Sequence, residues 1–170
     1  FQKNYNTNSD ETVLINDLLY SSFSKINTNI DGLITDYQLL LRNINSSSDN
    51  SNTFKEGDDQ KLLSTFMFGS KLPLQKKDEN SNKLLTPKFS FRYSPNSTKN
   101  NSKWGESINY NNIFSLDRID DTAVEGGGSL TYGVEYSSSN QDEKSINISI
   151  ANILRFSDNP DLPEIYGFSE

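Results

Sequence analysis

The sequence predicts an all-β protein, an antiparallel up-and-down meander of about six long strands that is part of a transmembrane outer-membrane β-barrel. Apolar and polar residues alternate along several stretches, and a period of two is typical of a strand with two different faces. These stretches run for roughly 10–13 residues, which suits a tilted strand crossing a ~30 Å hydrocarbon layer; ordinary strands average about 5–6. The connections also alternate between short and long, as in outer-membrane barrels.

Six strands are predicted from this alternation, at residues 12–23, 33–43, 62–74, 84–93, 128–137 and 144–156. The fourth has the cleanest pattern, in which Phe89, Phe91 and Tyr93 share one face. The first is less regular. Four of its apolar residues are in one phase, which Asp17 breaks; they are Val13, Ile15, Leu19 and Phe23.

Between the strands, residues 46–60 are expected to form a long acidic loop, 75–82 a charged connection and 96–127 the longest connection. That last loop contains Trp104 and three further apolar residues, Ile113, Phe114 and Leu116. Because a loop this long is usually functional or disordered, and disorder would leave these side chains in water, we expect it to fold inward. In this hypothesis Phe114 anchors it to the barrel wall, and Asp117 and Arg118 contact polar lumen groups.

The two faces of the predicted sheet differ in chemistry. One face carries charged residues and is interpreted as a hydrophilic lumen; these are Asp36, Arg42, Lys88, Arg92, Glu135 and Arg155. The other carries aromatic and branched aliphatic residues, which suit lipid. The residues expected on it are Leu33, Tyr37, Leu39, Phe89, Phe91, Leu130, Tyr132, Val134, Ile146, Ile148 and Ile150.

Composition excludes several kinds of function. The net charge of −7 and pI near 4.6 argue against nucleic acid, which binds clustered Lys and Arg. The chain has no cysteine and no histidine, so it lacks thiolate chemistry, a Ser/His/Asp set and the commonest metal ligand. We therefore expect no enzyme activity, no catalytic residue, no cofactor and no metal.

Two local clusters have simple structural interpretations. Four acidic residues between 117 and 125 lack the spacing and glycine of a calcium loop and are expected to be solvated; they are Asp117, Asp120, Asp121 and Glu125. The three glycines at 126–128 are not followed by Gly-Lys-Ser/Thr, so a flexible entry to the strand or a bend in a curved sheet is expected rather than a phosphate loop.

A family resemblance lies in residues 112–119, Asn-Ile-Phe-Ser-Leu-Asp-Arg-Ile, and continues into the next strand. This order resembles the LptD family, the lipopolysaccharide-assembly (organic solvent tolerance) proteins of Gram-negative outer membranes. The family pattern is roughly Asn-Leu-Phe-Ser-x-Asn-Arg-Phe, a Gly…Asp-Arg element, then Glu-x-Gly-x-Arg-x-x-Tyr-Gly. The matching residues, taken as the predicted site, are Asn112, Phe114, Ser115, Arg118, Glu125, Gly127, Tyr132 and Gly133.

The resemblance extends over about residues 62–170. Further similar pieces are Leu72-Pro73, Leu85-Thr86-Pro87 with Tyr93-Ser94-Pro95, and residues 154–158 followed by Pro160. Two departures occur. Asp-Asp-Thr-Ala at 120–123 stands where the family has Gly…Asp-Arg, and Ser129 stands where it often has Arg.

The resemblance implies that residues 1–170 are one segment of the family's barrel in the cell outer membrane, a fragment without the N-terminal jellyroll. It implies transport of lipopolysaccharide and its insertion into the outer leaflet. The implied partners are lipopolysaccharide, outer-membrane lipid, an LptE-like lipoprotein and the periplasmic Lpt bridge. Two alternatives stay open from the residues alone: another outer-membrane barrel, such as a porin, and a soluble secreted β-sandwich that binds glycan.

Overall fold

The computed structural model describes residues 2–6, 9–26, 30–50, 56–78, 80–96, 108–119, 125–140 and 145–157. Its regular elements are eight strands. They are β1 Gln2–Asn6, β2 Ser9–Ile26, β3 Ile34–Asp49, β4 Gly57–Lys71, β5 Leu74–Lys77, β6 Ser81–Ser94, β7 Gly127–Asn140 and β8 Ser145–Arg155. The described residues include no helix that is long and apolar enough to cross a membrane.

All strands belong to one antiparallel sheet in the order β1-β2-β3-β4-β6-β7-β8, with β5 paired to β6. Each strand therefore lies beside its neighbours in sequence, and the predicted all-β meander is confirmed. Within the described residues the sheet is open, with β1 and β8 at its two edges.

Strands β4 and β5 form one interrupted strand of a long hairpin with β6. The register continues across the gap, from Lys71↔Lys88 to Leu74↔Leu85. The ladder breaks at Leu72 and Pro73, where Leu72 N still donates to Pro87 O at 3.1 Å. A proline has no N–H to donate, so Pro87 cannot return that hydrogen bond. The predicted charged connection at 75–82 is therefore wrong, because most of it is strand.

A β-bulge in β2 explains the irregular phase of the first predicted strand. The pairing with β3 shifts between Asp17↔Arg42 and Leu19↔Leu41. An extra residue at this point turns the following side chains to the other face. The four residues predicted to share one face are consequently divided: Val13 and Ile15 lie on one face, and Leu19 and Phe23 on the other.

The register defines two faces that run through the whole sheet. The face called inner here carries Leu40, Arg42, Met67, Arg92, Thr131 and Arg155. The opposite face, called outer, exposes large apolar side chains of β2 to β8, among them Phe23, Tyr37, Leu39, Phe66, Phe89, Tyr132, Ile148 and Leu154. The predicted apolar face is confirmed for ten of its residues, since register places all but Leu33 on the outer face; Leu33 lies just before β3.

Two strands extend far into the segment that was predicted to be a loop. β3 continues to Asp49 and β4 begins at Gly57, so the loop predicted at 46–60 is wrong. The connection between these strands covers only residues 50–56, and the predicted alternation of short and long connections fails there. The one between β6 and β7 covers residues 95–126 and is the longest between the strands that the structure describes.

Candidate functional site

The candidate site lies on the inner face, where residues 108–119 pack against the sheet; this segment is called the inner loop. It begins with a turn in which Asn112 N and Ile113 N both donate to Asn109 O, at 3.2 and 2.9 Å. Asn109 N in return donates to Asn112 Oδ1 at 2.7 Å. Asparagine side chains favour such turns because they bond to backbone groups a few residues away. The predicted site residue Asn112 therefore shapes the inner loop.

Apolar side chains hold the inner loop against the sheet. Ile108, Ile113, Leu116 and Ile119 are all buried. Leu116 packs in one cluster with Leu40 of β3 and Met67 of β4. These contacts confirm the expectation that the loop folds onto the polar face of the sheet. The expected anchor Phe114 is only half-buried, and the neighbouring Ile113 and Leu116 are buried more deeply.

Below the inner loop lies a group of charges, called the charge cluster here, formed by Arg92, Arg118, Glu125 and Arg155. The first three are buried and Arg155 is half-buried. Arg118 Nε donates to Glu125 Oε2 at 2.5 Å. Its other nitrogens donate to Ser129 Oγ at 2.8 Å, Thr131 Oγ1 at 3.2 Å and Ile113 O at 3.2 Å. The guanidinium group thus joins the inner loop to Glu125, two residues before β7, and to the first part of β7.

Two further arginines surround Glu125. Arg155 Nε donates to Glu125 Oε1 at 3.0 Å, so both carboxylate oxygens are bonded. Arg92 Nη1 lies 4.0 Å from Oε2 and donates to the backbone oxygen of Glu125 at 2.7 Å, while its Nε donates to Leu116 O at 2.9 Å. Three guanidinium groups share one carboxylate, and each has backbone or side-chain acceptors that offset its loss of water.

The environment of Glu125 determines its protonation. Burial alone would raise the pKa of its carboxyl, but the hydrogen bond and charge of Arg118 and the charges of Arg92 and Arg155 outweigh burial. The pKa of Glu125 therefore lies below its ordinary value of 4.5. The prediction that this acidic residue is solvated is wrong, because three cations drawn from separate strands and the loop bury and neutralise it.

Asp117 is also held by an arginine rather than by water alone. Arg42 of β3 donates from Nη1 to Asp117 Oδ2 at 2.6 Å and from Nε to Asp17 Oδ1 of β2 at 2.6 Å. The bulge in β2 makes the second contact possible, because it places Asp17 opposite Arg42 on the inner face. The other two members of the predicted acidic cluster, Asp120 and Asp121, and also Trp104, lie outside the described residues.

An aromatic contact fixes the start of the inner loop. The rings of Tyr110 and Phe114 meet edge to face at 6.3 Å between centroids. Lys88 Nζ lies 5.9 Å from the Tyr110 centroid and 5.6 Å from the Phe114 centroid, within the range of a cation–π contact. Lys88 also pairs with Glu135 of β7. The ring of Phe114 thus contacts the ammonium group of Lys88 on β6, and it is less buried than an anchor residue would be.

Between the inner loop and the wall formed by β2 and β3 there is a groove of about 400 Å³. Ser115 contributes to its lining together with Tyr20, Gln38, Phe114 and Asp117. Aromatic, amide, hydroxyl and charged groups all face this space. Among the described residues, no three His, Cys, Asp or Glu side chains lie close enough to hold a metal ion.

The remaining predicted site residues lie in and before β7. Gly127 has φ +78°, a conformation that suits glycine, at the first residue of β7. Tyr132 is exposed on the outer face, away from the inner loop. At Gly133 a Cβ atom would lie 2.6 Å from Ile150 O of β8, so glycine allows the two strands to approach. The structure therefore brings together Asn112, Phe114, Ser115, Arg118 and Glu125, but not Tyr132.

Four residues belong to this site without having been predicted as part of it: Arg92, Arg155, Asp17 and Arg42. Arg92 and Arg155 were interpreted only as residues of a polar face, and the pairing of Asp17 with Arg42 was not foreseen. The available signal was the alternation itself, which places Arg92 and Arg155 on the face that the loop covers. The partner of each arginine depends on a register that alternation alone does not give.

Comparison with known protein families agrees with this geometry. The model of the family LptD: LPS transport system D matches residues 5–168. None of the curated proteins compared with the chain matches it. The family match covers nearly the whole chain, includes the inner loop and every strand from β2 to β8, and is consistent with an all-β meander; the chain belongs to the LptD family of lipopolysaccharide transport proteins of the outer membrane.

Proposed function

We propose that residues 1–170 form one segment of the wall of an outer-membrane β-barrel that carries lipopolysaccharide and inserts it into the outer leaflet. The observation that carries this proposal is the polarity of the sheet. Its outer face exposes aliphatic and aromatic side chains, and its inner face buries charges under a loop of the same chain. A sheet in water buries its apolar face, whereas a barrel in lipid exposes it.

The inner loop gives this segment of the lumen a fixed lining. Its contacts reach β3 through Arg42 and β6 through Lys88 and Arg92. Its Arg118 is linked to Arg155 of β8 through Glu125, which bonds both arginines. A substrate moving along this wall would therefore meet the surface of the inner loop and the groove beside it. The inner faces of β2 and β8 stay accessible next to the loop, since Tyr20, Ser22 and Asn147 are exposed.

Polar lumen contacts suit the phosphate and sugar groups of lipopolysaccharide, and the outer face suits acyl chains of the surrounding lipid. The function needs no covalent step, so the wall contributes a route and a boundary rather than an active site. An LptE-like lipoprotein inside the barrel and the periplasmic Lpt bridge are proposed as partners of the full-length protein. Membership of the LptD family disfavours the porin-like barrel and the glycan-binding sandwich.

Photocrosslinking in cells tests this proposal. A photoreactive amino acid replaces Asn147, which is exposed on the inner face of β8, or its neighbour Ile148 on the outer face, in the full-length protein. We expect lipopolysaccharide to crosslink at position 147 only while new lipopolysaccharide is supplied from the inner membrane. Crosslinks at position 148 should persist after the supply stops, because resident lipid surrounds that position. Supply-independent or absent crosslinks at 147 would contradict the proposed route.

A further inference from the structure

The outer face of β2, β3 and β4 changes its chemistry part of the way along the strands. On β3 the outward residues are Tyr37, Leu39 and Leu41, and then Asn43, Asn45 and Ser47. On β4 they are Phe68 and Phe66, and then, beyond Ser64 and Leu62, Gln60 and Asp58. The change is staggered by one residue pair between β3 and β4, since Asn43 pairs with Leu62 and Asn45 with Gln60. On β2 one exposed apolar residue, Leu14, lies beyond it, opposite Asn45.

The inner face carries buried apolar residues on both sides of this level, with Leu40 and Met67 on the side of the inner loop. Beyond Arg42 it carries a small apolar cluster of Ile44 and Leu63, with Val13 and Ile15 of β2 packed against it. On the outer face, Gln60 Nε2 donates to Asn43 Oδ1 at 3.2 Å, so amides there bond to each other across the strands. Beyond this level the outer face is polar apart from Leu14, and the cluster of Ile44 and Leu63 is covered on the inner face, as is usual for a sheet in water.

Strand lengths are consistent with this change. β2, β3 and β4 contain 18, 16 and 15 residues, whereas about 9–11 residues cross a hydrocarbon layer when the strand is tilted. The stretch from Asn43 to Asp49 alone measures about 20 Å, at roughly 3.4 Å per residue. These three strands are therefore longer than a membrane requires.

Strand pairing supplies an independent argument. β6 ends at Ser94, so its ladder with β4 stops at Phe66↔Tyr93. The side chain of Asn96 then takes the place of a strand: its Oδ1 accepts from Ser64 N at 2.8 Å and its Nδ2 donates to Leu62 O at 3.1 Å. Beyond Leu62, β4 has no strand neighbour on that side within the described part of the chain. Among the described residues, the pairing of β4 therefore changes from two strand neighbours to one close to the level at which its outer face becomes polar.

We propose that the hydrocarbon layer ends near Leu41 and Leu62, and that Ser9–Asp17, Asn43–Asp49 and Gly57–Lys61 stand out of the membrane in water. Together with β1, which pairs with the first part of β2, they form a four-stranded ribbon. This inference rests on the proposed barrel. The bulge at Leu18 lies at the same boundary and orients Asp17 toward Arg42 while Leu19 faces lipid. The ribbon extends from the end of the sheet where β6 stops, so it forms a wall beside the inner loop.

Fluorescence quenching of the full-length protein in proteoliposomes tests the position of this boundary. An unnatural amino acid carries an NBD fluorophore at one of four outward positions: Leu39 and Phe66 below the boundary, or Ser47 and Gln60 above it. Lipids with doxyl groups on their acyl chains should quench the two lower probes at least threefold more strongly than the two upper ones. Iodide in the buffer should give the opposite order.

Each other outcome has a separate meaning. Equal doxyl quenching at all four positions would overturn the inference, because the ribbon would then lie in lipid. If doxyl lipids quench none of the four probes, including those at Leu39 and Phe66, the barrel proposal itself would be overturned, and the inference with it. A probe at Asn147, on the inner face of β8, is the matched control, and doxyl lipids should quench it weakly in either case.

Discussion

Arg118 of the inner loop and Glu125, just before β7, form an ion pair with 2.5 Å between Nε and Oε2, and their side chains are only 1% and 2% exposed. The pair is the centre of a network in which Arg92 and Arg155 also contact Glu125. Its position explains why one loop stays attached to several strands, since each arginine comes from a different part of the sheet or loop.

Loss of the carboxylate should detach the inner loop. Glu125→Gln keeps the shape of the side chain but leaves Arg118 and Arg92 buried without a countercharge, and breaking a buried pair costs about 3–5 kcal/mol. Limited proteolysis of the full-length protein in detergent should then cleave within residues 108–119, while the barrel stays heat-modifiable on gels. Asp78→Asn is the control, because its pairs with Lys76 and Lys83 are solvent-exposed and worth little. Equal protease resistance of wild type and Glu125→Gln would contradict the role given to this network.

The attachment of the inner loop should also depend on pH. Since the folded pKa of Glu125 lies below 4.5, its charged form stabilises the loop fully above pH 4.5. That contribution is lost as the pH falls through the lower folded pKa. Protease protection, measured with an acid-active protease, should therefore be constant from pH 7 to about pH 5 and decrease in more acidic buffer. In Glu125→Gln the loss of protease protection at acidic pH should be much weaker. If protection in this variant depends on pH as it does in wild type, the loss arises from other carboxylates.

The apolar side chains of the inner loop should stabilise it in the order of their burial. Leu116→Ala removes a buried side chain from the cluster with Leu40 and Met67, for which a cost of about 2–5 kcal/mol is typical. Phe114→Ala removes a half-buried ring and should cost less. Hydrogen exchange of the amides in residues 108–119 should accelerate in both variants, and more strongly in Leu116→Ala. The reverse order would restore Phe114 as the main anchor.

Glycine at position 133 should be required for the contact between β7 and β8. A Cβ atom there would lie 2.6 Å from Ile150 O and 2.8 Å from the Cβ of Ala151, and the backbone oxygen cannot move without disturbing the ladder. We expect Gly133→Ala to lower the free energy of unfolding by about 1–3 kcal/mol in a urea titration. Addition of Ala151→Gly should recover part of this loss, because it removes one of the two clashes. A fully stable Gly133→Ala protein would show that the strands can separate freely here.

The order of strands and the two faces could be predicted because alternation is a local signal. The length of β3 could not: residues 46–49 are Ser-Ser-Ser-Asp, which as a sequence indicates a loop, yet Ser46 pairs with both Val13 and Asp59. Neighbouring strands, rather than the propensity of its own residues, hold this part of β3. Likewise, the expectation that Arg118 contacts polar groups of the inner face is confirmed, but its partner Glu125 depends on a loop conformation that spacing alone does not determine.

A final prediction concerns which face of β8 meets lipid. Ile148 points to the outer face and Asn147 to the inner face, while both side chains are exposed in this chain. An arginine on the lipid side near the middle of the bilayer costs about 2–4 kcal/mol, whereas an arginine in an aqueous lumen costs little. Ile148→Arg should therefore lower the stability of the full-length barrel in liposomes, measured by urea titration of its heat-modifiable form.

Asn147→Arg is the matched control, since it adds the same side chain one residue away and differs only in the face. Its stability should stay within about 0.5 kcal/mol of wild type, as for other surface substitutions. The side chains of Asn147 and Ile148 are both exposed in the structure, so solvent exposure does not distinguish the two variants. A difference in their stability in liposomes therefore reports contact with lipid itself. Equal stability of both variants would mean that β8 does not expose its isoleucines to hydrocarbon. Destabilisation by Asn147→Arg alone would mean that the two faces of the sheet are reversed with respect to the membrane.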